Sequence, residues 1–99
     1  DKYVNAAKYA SKFMDVVTTS GVATGKEAKI SKIQLFRSSI GNKPLALASG
    51  ITVDNAKNYS EVDCFMVATG INYDDNFYEI DPIKLSKLLN VCRQIGKGE

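Results

Sequence analysis

The stretch Pro44-Leu45-Ala46-Leu47-Ala48-Ser49-Gly50-Ile51-Thr52 decides the fold of this chain. The small and aliphatic residues that follow the proline predict a short strand buried on both faces. Ser49-Gly50 then turns the chain, and Thr52 is typical of a helix N-cap. A strand, a tight turn and a helix, the last ending near Tyr59, are therefore expected in direct succession.

The same pattern occurs once before this stretch and once after it. The segments 14–21 and 64–70 each join an apolar, β-rich run to a turn of hydroxyl residues and glycine. Amphipathic periodicity predicts helices over residues 1–13 and about 26–40. Asp81-Pro82 predicts the N-cap and first position of a last helix that Gly96 ends. The alternation predicts an α/β fold of consecutive parallel βα units.

Two architectures are compatible with these units. The first is the C-terminal portion, about three βα units, of a (βα)8 TIM barrel, because a whole barrel needs about 250 residues. Such a portion would leave strand edges unpaired, and we expect it to pair with the remaining barrel strands or to self-associate. The second is a small three-layer α/β domain with helices on both faces of the sheet. In either case residues 1–99 are expected to form a single unit.

Composition narrows the partners and the compartment. The 13 Lys and Arg against 11 Asp and Glu give a net charge of +2, and the basic residues are scattered, so no nucleic-acid partner is expected. The longest apolar runs are about five to eight residues, so we expect no membrane span. No leader pattern is recognised, and a cytoplasmic protein is expected.

Few residue types are available for catalysis or metal binding. The chain has no histidine, which excludes a Ser-His-Asp triad within it and makes a zinc site improbable. Cys64 and Cys92 are interpreted as buried reduced thiols because their spacing matches no metal or redox motif. Asp15, Asp63 and Asp81 are interpreted as structural. No catalytic residue is assigned, and the sequence leaves open whether the protein is an enzyme.

The strand-ending turns supply the candidate ligand site. Parallel strands bring their carboxyl ends to one edge, where glycine allows a close approach and hydroxyl and amide groups can bind a phosphate. The competing interpretation is that such turns need small residues in any case, and that Asn55 caps its own helix. The candidate phosphate-binding residues are Ser49, Gly50, Thr69, Gly70, Thr18, Ser20, Gly21, Thr24 and Asn55.

Asp74 and Asp75 lie just after the last of these turns. Two carboxylates repel a phosphate unless a cation lies between the carboxylates and the phosphate, so Asp74 and Asp75 would be the ligands of a Mg²⁺ ion if they faced the site. The commoner outcome for a charged pair in a loop is exposure to solvent. Otherwise no cofactor is expected.

The motifs also occur in the order of a known family. Asp15-x-x-Thr18-x-Ser20-Gly21-x-x-Thr24-Gly25, then Ser49-Gly50-Ile51-Thr52-x-x-Asn55, then Asp63-x-Phe65-x-Val67-Ala68-Thr69, then Asp81-Pro82 together resemble the carboxyl-terminal part of the BtpA/SgcQ family. That family is similar to phosphate-binding TIM barrels such as phosphoribosylanthranilate isomerase. The resemblance implies that Ser49, Gly50, Thr69 and Gly70 lie near a phosphate or sugar phosphate. Family members often carry a lysine after the last glycine turn, where this chain is acidic.

Three hypotheses about function follow. In the first, the chain binds a sugar-phosphate or nucleotide-type ligand, a small phosphorylated molecule, at the carboxyl ends of its strands. In the second, the same barrel is a non-catalytic assembly or biogenesis factor. In the third, the chain is a self-associating α/β module.

Overall fold

The computed structural model describes residues 2–21, 27–76 and 78–97, and their fold is α/β. Helices and strands alternate along the chain as the sequence predicts. In order, the elements are α1 (Lys2–Ser11), β1 (Val17–Thr19), α2 (Ile30–Ile40), β2 (Leu45–Leu47), the 3₁₀ helix η1 (Ala56–Tyr59), β3 (Cys64–Phe65), the 3₁₀ helix η2 (Thr69–Ile71) and α3 (Pro82–Gly96).

The three strands form one parallel sheet in the order β1-β2-β3. Each strand therefore lies beside the next one along the chain, as consecutive βα units require. β2 is central, and its residues Leu45, Ala46 and Leu47 are at most 2% exposed, which confirms the prediction of a buried strand.

The two faces of the sheet differ. Val17, Leu45 and Leu47 belong to a core that also contains buried residues of α1, α2, η1 and α3. The register aligns Thr18, Ala46 and Cys64 in the intervening row, and side chains alternate along a strand. This row therefore lies on the opposite face, together with Val16 and Met66. We call the surface formed by Val16, Thr18, Ala46, Cys64 and Met66 the open face. Apart from the small Ala46, its side chains are exposed.

The third strand is shorter than the sequence predicts. The apolar run 64–69 predicts a strand ending at Gly70, but β3 ends at Phe65 and Thr69–Ile71 coils into η2. This helical turn packs Gly70 against the backbone of Ile51, a contact that an extended strand would not make. The prediction that Cys64 is buried is also wrong, because Cys64 lies exposed on the open face. Cys92 is half-buried. Both cysteines are free thiols.

The remaining differences concern where elements begin. β1 starts at Val17 rather than Met14 because the turn ending α1 continues, with the amides of Phe13 and Met14 donating to the carbonyl of Ala10. η1 starts at Ala56, after a turn opened by Thr52.

α3 begins and ends where the sequence predicts. Asp81 accepts a hydrogen bond from the amide of Ile83, Pro82 occupies the first helical position, and the helix ends at Gly96. None of the helices in the described ranges is long and apolar enough to span a bilayer.

Candidate functional site

The turns that follow the three strands meet at one edge of the sheet. The amide of Gly21 donates to Oγ of Ser49 over 2.6 Å, which joins the first turn to the second. A Cβ atom on Gly70 would stand 2.0 Å from the carbonyl oxygen of Ile51, so the third turn touches the second. Parallel strands with short crossovers produce this convergence, because their carboxyl ends point the same way.

A cleft of about 290 Å³ opens between the second and third turns. We call it the turn cleft; it is lined by residues 48–51 and 66–70. It brings together four of the predicted site residues, Ser49, Gly50, Thr69 and Gly70. Gly50 has φ of 72°, a conformation that favours glycine over other residues.

Ser49 and the predicted residues at the end of β1 have structural contacts or lie outside the turn cleft. Ser49 is buried, and its hydroxyl accepts the bond from Gly21. Ser20 is exposed and donates to the carbonyl of Gly21 over 3.2 Å. Thr18 lies within β1 on the open face and does not line the turn cleft. Thr24 falls outside the described residues.

Asn55 fixes the second turn from within. Its Oδ1 accepts from the amide of Thr52 over 2.8 Å, while Thr52 Oγ1 accepts from the amide of Asn55. Its Nδ2 donates to the carbonyl of Gly50 and to Oε1 of Glu27. The side-chain amide is therefore committed to holding the turn before η1, which disfavours ligand contact. Asn55 occupies the N-cap position of η1, but its side chain makes no capping hydrogen bond to that helix.

A second hydrogen bond, besides the one from Asn55 to Glu27, connects this part of the chain to the residues before α2. Tyr59 is buried, and its hydroxyl donates to the carbonyl of Ala28 over 2.6 Å. Burial, and secondarily the charge of Glu27, raises the pKa of this phenol above its ordinary value. Tyr59 therefore acts here as a neutral structural donor.

A second cleft, of about 480 Å³, shares the third turn with the first. We call it the lysine cleft; it is lined by Thr52, Val53, Asp54, Thr69, Gly70, Asp74, Lys84 and Lys87. Sequence reasoning did not single out Lys84 and Lys87. The available signal was their i, i+3 spacing after the Asp81-Pro82 cap, which places them on one side of α3.

Lys84 contacts the acidic loop directly. Its Nζ donates to the carbonyl of Asn72 over 2.8 Å and to Oδ1 of Asp74 over 2.7 Å. The hydrogen bond from Lys84, and then its charge, lowers the pKa of Asp74 below the ordinary carboxyl value. A lysine of α3, which lies 10 residues after Asp74 in the chain, thus contacts the acidic segment 71–75.

The donor groups at this edge suit an anion better than a metal ion. Hydroxyls, backbone amides and lysine ammonium groups bind phosphate or carboxylate. Within the described ranges, no three His, Cys, Asp or Glu side chains are grouped so that they could hold a metal ion. Comparison with protein-family models, curated proteins and solved structures finds no match to this chain.

Proposed function

We propose that this chain forms the last three βα units of a (βα)8 barrel and binds a phosphorylated small molecule at the turn cleft. The ligand class is a sugar phosphate or a nucleotide-type molecule. The resemblance of the ordered motifs to the BtpA/SgcQ family motivates both parts of the proposal.

The convergence of the three turns carries the ligand part. Gly50 leaves the backbone accessible beside the cleft, Gly70 lets the third turn pack closely against the second, and Thr69 adds an exposed hydroxyl. Ligands of parallel α/β proteins bind at the carboxyl ends of strands, and phosphate-binding barrels use the turns after the last two. Ser49 supports the site by joining its turn to Gly21.

The unequal faces of the sheet support the barrel part. The helical elements of the described chain share one core with one face of the sheet, whereas a three-layer domain would cover both faces. A barrel interior is filled by side chains from all its strands, so three strands alone leave that interior exposed. The open face has the composition for such a role, with Val16 and Met66 at its ends.

An NMR titration tests the ligand proposal. We expect inorganic phosphate and ribose 5-phosphate to shift the amide signals of Gly50 and Gly70 saturably, and ribose alone to leave them unchanged. Thr69→Val should weaken binding, whereas Ser31→Ala, which removes an exposed hydroxyl from α2, should not. Phosphate titrations that leave the Gly50 and Gly70 amides unmoved, with and without Mg²⁺, would overturn the proposal.

A self-associating module is the second candidate function. The exposed apolar side chains of the open face favour it, because such a surface on a free chain is normally covered by another. This candidate requires no ligand at the turn cleft. A chain that stays monomeric in solution would contradict this candidate, and the phosphate titration separates it from the ligand proposal.

A further inference from the structure

The described residues of the loop between η2 and α3, 72–76 and 78–80, are held by hydrogen bonds among themselves. Asn72 pairs with Ile80 in an antiparallel bridge, and the amide of Tyr73 donates to the carbonyl of Glu79 over 3.1 Å. Oδ1 of Asn76 accepts from the amides of Tyr78 and Glu79. The contact between Asp74 and Lys84 is therefore an addition to the loop rather than the bond that closes it.

The Asp74–Lys84 pair is easily exchanged. The Asp74 side chain is 94% exposed, and Lys84 is 32% exposed. Exposed ion pairs contribute little net stability, because water solvates both partners well when they are apart. A competing anion can therefore replace Asp74 as the partner of the Lys84 ammonium group with little loss of folding stability.

The charges of the lysine cleft favour that exchange. Two lysines, Lys84 and Lys87, balance the carboxylates of Asp54 and Asp74. Lys87 is exposed and makes no hydrogen bond or ion pair within the described part of the chain. Without the Asp74 carboxylate, the two lysines would face only the carboxylate of Asp54, which leaves an excess of positive charge in the cleft.

We propose that Lys84 and Lys87 form a binding site for a phosphate group in the lysine cleft, and that Asp74 occupies Lys84 when the phosphate is absent. The hydroxyls of Thr52 and Thr69 line the same cleft and supply further donors. A phosphate dianion offers more charge and more acceptor oxygens than one carboxylate, so it competes effectively for two ammonium groups. This site adjoins the turn cleft and does not require a ligand there.

Phosphate titrations of matched variants test the internal competition. Asp74→Asn should tighten inorganic phosphate binding about two- to fivefold, the scale of a weak exposed ion pair. Asp75→Asn is the control because it removes the same charge from the neighbouring position, where φ of 59° suits asparagine. Equal tightening by both variants, or none by Asp74→Asn, would overturn the role of Asp74.

Lysine variants test the site itself. Lys84→Gln and Lys87→Gln should each weaken phosphate binding at least about threefold, and Lys84→Arg should retain it because the charge remains. Lys87 makes no hydrogen bond or ion pair with the described residues of the loop, so its variant separates lost binding from a disturbed loop. Unchanged affinity in both glutamine variants would overturn the site.

Separate NMR signals distinguish this site from the turn cleft. Gly50 lines only the turn cleft, whereas Thr52 and Lys87 line only the lysine cleft. Shifts at Gly50 without shifts at Thr52 and Lys87 would overturn this inference and leave the proposed function standing. Shifts at Thr52 and Lys87 alone would support the inference and count against the proposed function.

Discussion

Gly70 lies closer to a neighbouring backbone than any other residue type would allow. A Cβ atom there would stand 2.0 Å from the carbonyl oxygen of Ile51 and 3.1 Å from its carbon. Both atoms belong to the backbone, so no side chain can rotate away to make room. We expect Gly70→Ala to force the second and third turns apart, with a loss of about 1–3 kcal/mol in the free energy of unfolding.

Gly96→Ala is the matched control for this prediction. Gly96 ends α3, and a Cβ atom there meets nothing within 4 Å. Its substitution should change stability by less than about 0.5 kcal/mol. Urea denaturation of the three proteins measures the difference, and equal midpoints for Gly70→Ala and the wild type would contradict the close contact.

Single residues also show where sequence reasoning ends. The order of motifs predicted that Ser49, Gly50, Thr69 and Gly70 share one edge of the sheet, because parallel strands place their turns together. It could not decide that the Asn55 amide also bonds to Glu27, since that contact joins residues 28 positions apart in sequence. Lys84 was missed because its contact with Asp74 depends on how the chain folds back between the two residues.

Arg37 and Asp63 join α2 to the start of β2 and β3. Nη1 of Arg37 donates to Oδ2 of Asp63 over 2.8 Å, and the same oxygen accepts from the amide of Leu45 over 2.9 Å. The guanidinium also donates to the carbonyls of Glu61, Gly41 and Lys43. The amino ends of the strands are thus held together by one charged network, at the opposite end of the sheet from the two clefts.

Asp63→Ala should destabilise the fold by about 1–3 kcal/mol at neutral pH, because the buried amide of Leu45 loses its acceptor. Asp63→Asn keeps an acceptor oxygen and should lose only about 0–1 kcal/mol, since the carboxylate is 52% exposed and solvent screens the ion pair. Asp15→Ala, which removes an exposed carboxylate before β1, is the control. Urea denaturation at pH 7 ranks the variants, and equal losses for Asp15→Ala and Asp63→Ala would contradict this assignment.

The same network gives a pH dependence. The hydrogen bond from Leu45, and then that from Arg37, lowers the pKa of Asp63 below its ordinary value of 3.8. A lowered folded-state pKa means that the stabilisation is complete above 3.8 and is lost as the pH falls through the lower value. The stability difference between the wild type and Asp63→Asn should therefore narrow between pH 7 and about pH 2. A difference that stays constant over this range would contradict the charge contribution.

Elements differ in how well local sequence defines them. α3 is predicted at both ends because Asp81, Pro82 and Gly96 are local signals of helix start and stop. The end of β3 is not predicted. The run 64–69 is apolar enough for a strand, but the contact of Gly70 with Ile51 favours a helical turn at its end. A tertiary contact overrides local preference there, and it does so beside the candidate site.

At the scale of the whole molecule, the order of the strands could be predicted from the sequence, but closure of the sheet into a barrel could not. Short crossovers predict that neighbouring strands in sequence pair in parallel, as the register confirms. Whether such a sheet closes into a barrel depends on strands that three βα units do not contain. The open face is therefore the feature through which the architecture can be tested.

Charge placed on the open face should prevent association of this chain. Val16 and Met66 are 42% and 58% exposed there, and burying the remaining exposed part of such side chains contributes roughly 1 kcal/mol each. We expect the wild type to have a concentration-dependent solution mass above 10.8 kDa, and Val16→Lys with Met66→Lys to reduce it to that value. Leu35→Lys is the control, because Leu35 is 42% exposed on α2 and not on the sheet. Light scattering after gel filtration measures the mass.

A wild type that stays at 10.8 kDa at every concentration would show that the chain remains a monomer with its open face exposed to water. That result would contradict both the barrel proposal and the self-associating module.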